Sequence, residues 1–307
     1  TLIPEEYKKK VTPIPRSVKV ELSPRCNFRC SFCALTTRDK QPRQDMDFEF
    51  FKRIAHEMRD AGVEEIGMFY LGESFMNIDL LVDSIAYLKN VVKMPYVFIT
   101  TNGSLVSKPK VERVMAAGLD SLKFSVNSDS EESFATIINA KPIWFDRVFD
   151  NIRTAREVRD EGDYDCGIFA SSIKYDGEQQ AKMEELLKYR VLPFVDEHYW
   201  LPLYSMGSFA IENEEKIGMH PTVGNMGRAD NLRDPIPCWC AFTEGHITAD
   251  GLLSACGFDA DSHFVTADLN EVSFTEGWNS QTFQDLREAH LKGDVRGTVC
   301  ENCIAYC

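Results

Sequence analysis

Three closely spaced cysteines constrain this chain more than any other feature of its sequence. Cys26, Cys30 and Cys33 follow a C-x3-C-x2-C spacing directly after the strand-like run at residues 18–22. Three thiolates on one short loop can ligate three corners of a [4Fe–4S] cube and leave the fourth iron without a protein ligand. Zinc prefers four ligands, commonly in paired C-x2-C knuckles, so it fits this spacing poorly. The spacing therefore predicts an iron–sulfur cluster with one open iron.

The ten cysteines are unevenly distributed along the 307 residues. Nine lie in two groups near the ends, and only Cys166, which we expect to be a buried core residue, lies between them. This clustering favours metal ligation in a reducing compartment over a disulfide framework. Residues 1–10 are polar and charged, and no run approaches the roughly 18 apolar residues of a membrane span. We therefore expect a cytoplasmic protein without a membrane partner.

The net charge of −14 is concentrated toward the C-terminus. Residues 238–307 carry eleven acidic and three basic side chains, which gives this segment a net charge of −8. Because phosphate contacts need patches of Lys and Arg, this composition argues against nucleic acid as a partner. Two interpretations of the acidic segment stay open. It is either a solvated surface or a region that attracts a cationic substrate, such as an amino sugar or a basic peptide.

Apolar strands alternate with helices through the first two thirds of the chain. A helix begins after Asp47 and ends before Gly62, and the residue types at both ends are typical of helix caps. The predicted strands are 18–22, 65–71, 96–101, 121–126, 166–172 and 198–204, and further helices are predicted at 80–89, 110–117, 145–159 and 179–189. Six strands that are apolar on both faces and separated by helices predict a parallel α/β sheet of right-handed βαβ units.

The cysteine spacing, with the aromatic Phe32 before the third cysteine, resembles the radical S-adenosylmethionine (SAM) enzymes, and the resemblance extends along most of the chain. In that family the open iron binds the amino and carboxylate groups of SAM. Reductive cleavage then gives methionine and a 5′-deoxyadenosyl radical, which abstracts a substrate hydrogen atom. The resemblance implies a partial (β/α)6 TIM-like barrel with its active site at the carboxyl ends of the strands. It also implies an electron donor such as flavodoxin or ferredoxin.

The resemblance assigns SAM contacts to Phe32 and to the strand ends. Leu71-Gly72-Glu73-Ser74 occupies the place of a Gly-Gly-Glu motif whose backbone carbonyls bind the methionine amino group, although Leu71 replaces the first glycine. Further candidates are Thr101 and Asn102 after the third strand, Ser125 and Asn127 after the fourth, and Ser171 in the fifth. For Asn102-Gly103 an ordinary turn is the alternative, because Asn-Gly favours turns whatever the function.

Residues 238–307 resemble the SPASM/twitch extension that follows many radical SAM cores. The similarity consists of an early cysteine, an Asp250-Gly251 hairpin with Cys256 five residues past the glycine, and a late C-x2-C, with a predicted helix at 281–291. It implies that one auxiliary [4Fe–4S] cluster is ligated by Cys238, Cys256, Cys300 and Cys303. Full SPASM domains hold two auxiliary clusters, and they need more cysteines than the six in this segment.

Cys240 and Cys307 are left over in this assignment. An S–H bond is weak enough to donate a hydrogen atom to a carbon radical, and epimerases of the superfamily use such a donor. Both residues are therefore candidate hydrogen-atom donors. Four alternatives stay open: Cys240 replaces Cys238, Cys307 is itself a ligand, the spare thiols have no role, or the whole segment is a structural zinc ribbon.

We predict four segments: an N-terminal arm (1–16), a radical SAM partial barrel (17–204), a connecting segment (205–237) and an auxiliary iron–sulfur region (238–307). The predicted function is the oxidation or epimerisation of a small amino sugar or aminocyclitol. The alternative is modification of a ribosomally made peptide, which is weakened because no winged-helix-like segment precedes the first strand. Candidate general bases are Glu212, His246 and Tyr204.

Two other classes of protein are also considered. A non-catalytic iron–sulfur electron carrier would account for both groups of cysteines, but it would have no use for an open iron. An RNA-modifying radical SAM enzyme would share the barrel, but the acidic C-terminal segment argues against it.

Overall fold

The computed structural model describes residues 3–38, 42–204, 217–218, 228–230, 236–259 and 262–301. Within these residues, nine strands form a single sheet. The strands are β1 (Ser17–Val20), β2 (Glu65–Gly67), β3 (Tyr96–Thr101), β4 (Ser121–Ser125), β5 (Gly167–Ile173), β6 (Glu197–Leu201), β7 (Glu244–Ile247), β8 (Leu252–Ser254) and β9 (Val265–Asp268).

Helices connect the parallel strands and follow β9. They are α1 (Phe48–Ala61), α2 (Ile78–Tyr87), α3 (Lys108–Ala116), α4 (Ile143–Gly162), α5 (Gly177–Arg190), α6 (Trp239–Thr243), α7 (Phe274–Trp278) and α8 (Gln281–Leu291). Shorter helical turns lie at Glu5–Tyr7, Ala34–Thr37, Ser74–Met76, Leu88–Val92, Glu131–Ser133, Phe134–Ile138 and Leu192–Phe194. Among the described residues, no helix has both the length and the apolar composition that crossing a membrane requires.

The order of the strands in the sheet is β6-β5-β4-β3-β2-β1-β7-β8-β9. Strands β1 to β6 are parallel, so their carboxyl ends lie at one edge of the sheet. β7 pairs in parallel with the other side of β1, and β8 and β9 follow as antiparallel strands. The predicted α/β fold with a partial (β/α)6 barrel is confirmed, and the C-terminal region continues its sheet beyond β1.

Helix α1 shows how local sequence sets the boundaries of an element. The Asp47 carboxylate accepts a hydrogen bond from the backbone NH of Phe50 at 2.8 Å, which satisfies a free donor of the first turn. At the other end Gly62 has a φ of 108°, a left-handed conformation that glycine adopts without strain. One face of the helix is buried in the core through Phe51, Ile54, Ala55 and Met58. Both predicted caps are confirmed.

The predicted strands and helices of the barrel are present, with boundaries that differ by a few residues. The largest difference is β2, which was predicted over 65–71 but ends at Gly67. Beyond it the chain turns toward the cysteine loop, where the NH of Glu73 donates to the carbonyl of Arg25 at 2.8 Å. α6, β9 and α7 were not predicted, because they are too short to show a clear hydrophobic period. Most of the predicted connecting segment, 205–237, lies outside the described residues.

Candidate functional site

Cys26, Cys30 and Cys33, here called the N-terminal thiol group, lie on the loop that follows β1. All three are partly exposed and free of disulfide bonds. The backbone NH of Ser31 donates to the carbonyl of Ile137 at 2.7 Å, which anchors the loop to the helical turn between β4 and α4. The loop is therefore held over the carboxyl ends of the barrel strands.

The electrostatics of the N-terminal thiol group suit a bound cation. Burial raises the pKa of Cys26 to about 12, and the negative charge of Glu73 adds to this rise. Burial also raises the pKa of Cys30, and the charges of Cys33 and Cys26 raise it further. The thiolates are thus close enough to repel one another. Iron would supply the positive charge that stabilises them, so this donor set fits three ligands of a [4Fe–4S] cluster.

The N-terminal thiol group lines a cavity of about 180 Å³, here called the cluster-side cavity. The ends of β3 and β4 and the loop after β2 form other parts of its wall. Seven of the residues expected to bind SAM line it: Phe32, Gly72, Glu73, Thr101, Asn102, Ser125 and Asn127. The fold therefore brings the three cysteines and most of the predicted SAM-binding residues to one cavity.

Gly72 permits two loops to approach each other closely. A Cβ atom at this position would lie 1.9 Å from the carbonyl oxygen of Ser23 and 3.0 Å from the carbonyl carbon of Pro24. Both of these are backbone atoms, which cannot move aside as a flexible side chain would. The sequence therefore needs glycine here to place the loop after β2 beside the cysteine loop.

Glu21 joins three parts of the molecule through one buried carboxylate. It accepts hydrogen bonds from the NH of Gly72 at 3.2 Å, from the NH of Ala249 at 3.2 Å and from Arg38 Nη1 at 3.1 Å. Burial raises the pKa of Glu21, while Arg38 and the two NH groups oppose this rise. The end of β1, the loop after β2 and the β7–β8 hairpin are therefore held together at one point.

Glu73 uses its side chain to hold the end of β3. Its carboxylate accepts hydrogen bonds from Thr101 Oγ1 at 2.9 Å and from the NH of Asn102 at 2.8 Å. Asn102 Nδ2 in turn lies 3.8 Å from the sulfur of Cys26 and donates to Asn27 Oδ1 at 3.0 Å. This chain of contacts fixes the strand end against the cysteine loop and places an amide donor beside one thiolate.

The remaining predicted SAM contacts are not all in the same place. Ser125 and Asn127 line both the cluster-side cavity and a larger one beside it. Ser171 lines only the larger cavity. Ser74 lines neither of these two cavities, and its hydroxyl donates to the carbonyl of Met68. The structure therefore does not bring Ser74 to the predicted site, because its polar group is used inside the loop after β2.

The larger cavity has a volume of about 490 Å³. It shares part of its wall with the cluster-side cavity through Phe32, Cys33, Phe69, Tyr70, Leu71, Ser125 and Asn127. Its described lining contains four charged side chains, namely Lys19, Lys123, Arg228 and Glu244. Among the described acidic residues of 238–301, Glu244 alone lines this cavity. The acidic segment therefore contributes little negative charge to its wall.

Two of the three candidate general bases, Tyr204 and His246, line the larger cavity. Burial lowers the pKa of His246 to about 3, and the charge of Lys19 acts in the same direction. A ring with such a low pKa is a weak proton acceptor near neutral pH. Glu212 lies outside the described residues.

The described cysteines of the C-terminal region also lie together. Cys238, Cys240, Cys256 and Cys300 are here called the C-terminal thiol group. Cys240 is hydrogen-bonded to Cys238 and Cys256, and the charge of Cys300 acts on Cys256. This group contains three of the four expected auxiliary ligands, and Cys240 lies among them. Cys303 and Cys307 lie outside the described residues. Cys166 is in the core, 3% exposed, as expected.

Cys240 is also next to polar side chains that reach the larger cavity. Its sulfur, a carboxylate oxygen of Glu244 and a ring nitrogen of His246 lie within 4.8 Å of one another. These atom types can bind zinc, but the Lys19 ammonium, 2.9 Å from Glu244, already compensates the carboxylate. Cys240 is itself 1% exposed and lines neither of the two cavities. It is therefore separated from the larger cavity by its neighbours.

Sequence reasoning did not single out Glu21, Lys123 or Arg228. For Glu21 and Lys123 a signal was present, because each is a charged residue within a predicted buried strand, at 18–22 and 121–126 respectively. Such a residue in a buried parallel strand needs a partner or a function. Arg228 had no comparable signal, since no regular element was predicted around it.

Comparison with protein families gives two matches. Residues 20–189 match the Radical SAM superfamily, and residues 238–304 match SPASM, an iron-sulfur cluster-binding domain. The first match covers more than half of the chain. The two matched segments contain the N-terminal and the C-terminal thiol groups, respectively.

Curated proteins match part of the chain. It is 30% identical over 129 residues to the S-adenosylmethionine-dependent nucleotide dehydratase RSAD2 of Oncorhynchus mykiss, covering 41% of this chain and 36% of that protein. It is 28% identical over 135 residues to a probable GTP 3',8-cyclase of Pyrobaculum aerophilum, covering 43% and 41%. The matched part is therefore less than half the length of these relatives.

Solved structures match nearly all of the chain. BtrN in complex with AdoMet and 2-DOIA has a TM-score of 0.60 at 16% identity, covering 94% of this chain and 92% of that chain. SuiB of Streptococcus suis bound to precursor peptide SuiA has a TM-score of 0.67 at 16% identity, covering 96% and 71%. At these identities the likeness shows a common fold.

Proposed function

The chain belongs to the radical SAM superfamily, and from that premise we propose that it abstracts a hydrogen atom from a small amino sugar or aminocyclitol. The outcome is oxidation or epimerisation. Family membership implies a SAM-binding [4Fe–4S] cluster, and the SPASM match implies auxiliary iron–sulfur binding. In this proposal residues 17–204 form the catalytic barrel. Residues 238–307 bind one auxiliary cluster through Cys238, Cys256, Cys300 and Cys303.

The observation that carries this proposal is the wall shared by the two cavities. The cluster-side cavity contains the three thiols, and the larger cavity has a volume typical of small-molecule sites. Hydrogen abstraction requires the reacting atoms to be held in near contact. A substrate in the larger cavity would lie beside whatever occupies the cluster-side cavity, which meets this requirement.

Cys26, Cys30 and Cys33 would hold a cluster that could supply the electron for cleaving a carbon–sulfur bond of SAM. The residues of the chain itself would bind and orient the cluster, SAM and the substrate. Asn102 Nδ2 beside the sulfur of Cys26 supports its negative charge. Phe32, Phe69 and Leu71 make much of the shared wall apolar, which keeps water away from a reactive radical.

The likeness to BtrN supports a small substrate, because that structure holds AdoMet and 2-DOIA and is similar to this chain over most of both lengths. Modification of a peptide is the second candidate. It is favoured by the likeness to SuiB bound to precursor peptide SuiA and to anSMEcpe bound to AdoMet and Kp18Cys peptide.

The proposal is tested with the reconstituted protein under anaerobic conditions. We expect SAM and dithionite to give methionine and 5′-deoxyadenosine, with iron and sulfide at about eight each per chain for two cubes. An electron carrier would release neither product. About four irons with one zinc would instead identify the C-terminal region as a zinc ribbon.

Reaction with candidate amino sugars, aminocyclitols and peptides in D2O then identifies the outcome. Deuterium at one product carbon indicates epimerisation through an exchangeable thiol. Loss of two hydrogens by mass indicates oxidation. Turnover of peptides alone would reject the small-molecule proposal.

A further inference from the structure

Lys123 is a positive charge inside the barrel without a matching negative charge. It is the central residue of β4 and lines the larger cavity, two residues before Ser125 on the same face of the strand. Within the part of the chain that the structure describes, no carboxylate lies within ion-pair distance of its ammonium. Its ammonium instead lies over the ring of Tyr199, whose centroid is 5.7 Å from Nζ.

The other charges of the larger cavity are compensated. Lys19 is paired with Glu244 at 2.9 Å between Nζ and Oε2. Arg228 is paired through Nη1 with Glu197. Lys123 therefore accounts for the unmatched charge of the described wall.

The surroundings of Lys123 suit an anion. Arg228 stacks on the Tyr199 ring with its Cζ 4.0 Å from the centroid, so two cations lie around one aromatic ring. Of the five NH donors of a guanidinium, only those of Nη1 are used by Glu197, which leaves others for a ligand. An ammonium without a carboxylate partner, near a guanidinium that keeps NH donors available, can bind an anionic group through several charge-assisted hydrogen bonds.

We propose that Lys123, with Arg228 beside it, binds an anionic group of the substrate, either a carboxylate or a phosphate. This inference rests on the proposed function and adds an anionic group to the small substrate. The anion is assigned to the substrate and not to SAM because Lys123 lines only the larger cavity, whereas Cys26 and Cys30 line only the cluster-side cavity and Cys33 lies in the wall between the two. The charge of the cavity wall thus favours an anionic substrate group, whereas the acidic C-terminal segment suggested a cationic substrate.

The test measures binding of inorganic phosphate and of acetate to the cluster-loaded protein with SAM present and no reductant. Melting temperature is followed against each anion at constant ionic strength, with chloride as the balancing salt. We expect saturable stabilisation of the unsubstituted protein by phosphate, by acetate or by both, and the preferred anion identifies the group. Lys123→Met should weaken this binding at least about tenfold, while Lys123→Arg should retain it.

The matched control is Lys188→Met. Lys188 is exposed on α5 and its Nζ lies 5.2 Å from the Tyr189 ring centroid, so it has a similar aromatic contact outside the cavity. We expect this variant to bind the anions as the unsubstituted protein does. If Lys123→Met fails to fold, Arg228→Met tests the same site through its second cation. It should also weaken anion binding, and unchanged binding in that variant would overturn the inference.

Three other results would overturn the inference. The first is that neither anion gives saturable stabilisation of the unsubstituted protein, and the second is that Lys123→Met binds both anions normally. The third is that Lys123→Met weakens SAM binding about tenfold without changing anion binding, which would assign the lysine to the SAM carboxylate. Release of 5′-deoxyadenosine by the same preparations after dithionite is added tests the proposed function separately, since anion binding is measured without reduction.

Discussion

The two thiol groups are built in different ways. The N-terminal thiol group comes from eight consecutive residues on one loop and lines the cluster-side cavity. The C-terminal thiol group comes from the start of α6, the end of β8 and the segment after α8, and it lines neither of the two cavities. The first group therefore faces a cavity that a ligand can enter. In the second group Cys240 and Cys300 are buried, Cys238 and Cys256 are partly exposed, and none of the four lines that cavity or the larger one.

From this difference we expect the two groups to have different roles. Metal sites that perform chemistry keep a position open, and sites that stabilise a fold are closed by protein ligands. A loop of eight residues can present three thiols by itself, but the C-terminal group assembles only when several elements have packed together. We therefore expect metal binding there to be coupled to folding of the C-terminal region.

The expected difference between the two groups is tested most directly by removing one cysteine from each of them. Cys30→Ala should lower SAM cleavage by more than the roughly 10- to 100-fold that supporting residues of metal sites contribute, because a ligand itself is lost. Cys256→Ala should lower iron content by about half but reduce SAM cleavage much less. Chromatographic measurement of 5′-deoxyadenosine, with iron analysis, checks both. Undiminished 5′-deoxyadenosine from Cys30→Ala would refute the assignment of the open site.

A chelator compares the accessibility of the two groups directly. We expect iron of the N-terminal thiol group to be removed about tenfold faster than iron of the C-terminal group, because chelator can enter the cluster-side cavity. The rates are measured by absorbance in Cys256→Ala and Cys30→Ala, each of which retains one group intact. SAM should slow removal from the N-terminal group only. Equal rates with and without SAM would contradict the view that one site is open and the other closed.

Gly72→Ala tests whether the open site depends on the close approach of its two loops. Overpacking against the backbone of Ser23 should reduce the free energy of unfolding by about 1–3 kcal/mol and weaken SAM binding. Gly245→Ala in β7 is the matched control, since the nearest atoms to its Cβ would be side-chain atoms, of Val18 at 3.3 Å and of Pro15 at 3.8 Å. Denaturant unfolding and SAM titration measure the two effects. Similar SAM affinity in both variants would show that the loop position is not critical.

Cys166, which lies outside both groups, should show the smallest effect. Cys166→Ala removes a buried sulfur and should reduce the free energy of unfolding by about 1 kcal/mol. Iron content and SAM cleavage should stay the same, because no described cluster ligand is near it. Burial raises the pKa of this thiol to about 12, so it should also resist alkylation at pH 8 in the folded protein. A loss of iron in Cys166→Ala would contradict its role as a core residue.

Much of the barrel could be predicted because its signals are local. Asp47 and Gly62 mark both ends of α1, and the cysteine spacing identifies the loop after β1. The partners of Glu21 could not be predicted, because Gly72 and Ala249 are distant in sequence and meet only through the fold. Ser74 is the opposite case, since its position in a motif suggested a ligand contact but its hydroxyl bonds within its own loop.

The C-terminal region was harder to predict for a related reason. The Asp250-Gly251 hairpin was recognised, but nothing in the sequence indicates that β7 pairs with β1 across more than 200 residues. The charge of the cavity wall could not be predicted from the composition of the C-terminal segment either. Acidic residues dominate the C-terminal segment, yet the cavity wall contains Lys123 from β4 and Arg228 from the connecting segment.

The position of β1 between β2 and β7 affects how readily the protein self-associates when its C-terminal region is loosened. β1 hydrogen-bonds to both neighbours, so the C-terminal region covers what would otherwise be a free parallel edge at the centre of the molecule. An uncovered edge is a template for pairing with other chains. Iron starvation that loosens the C-terminal region would then appear first as self-association of the polypeptide, before any unfolding of the barrel.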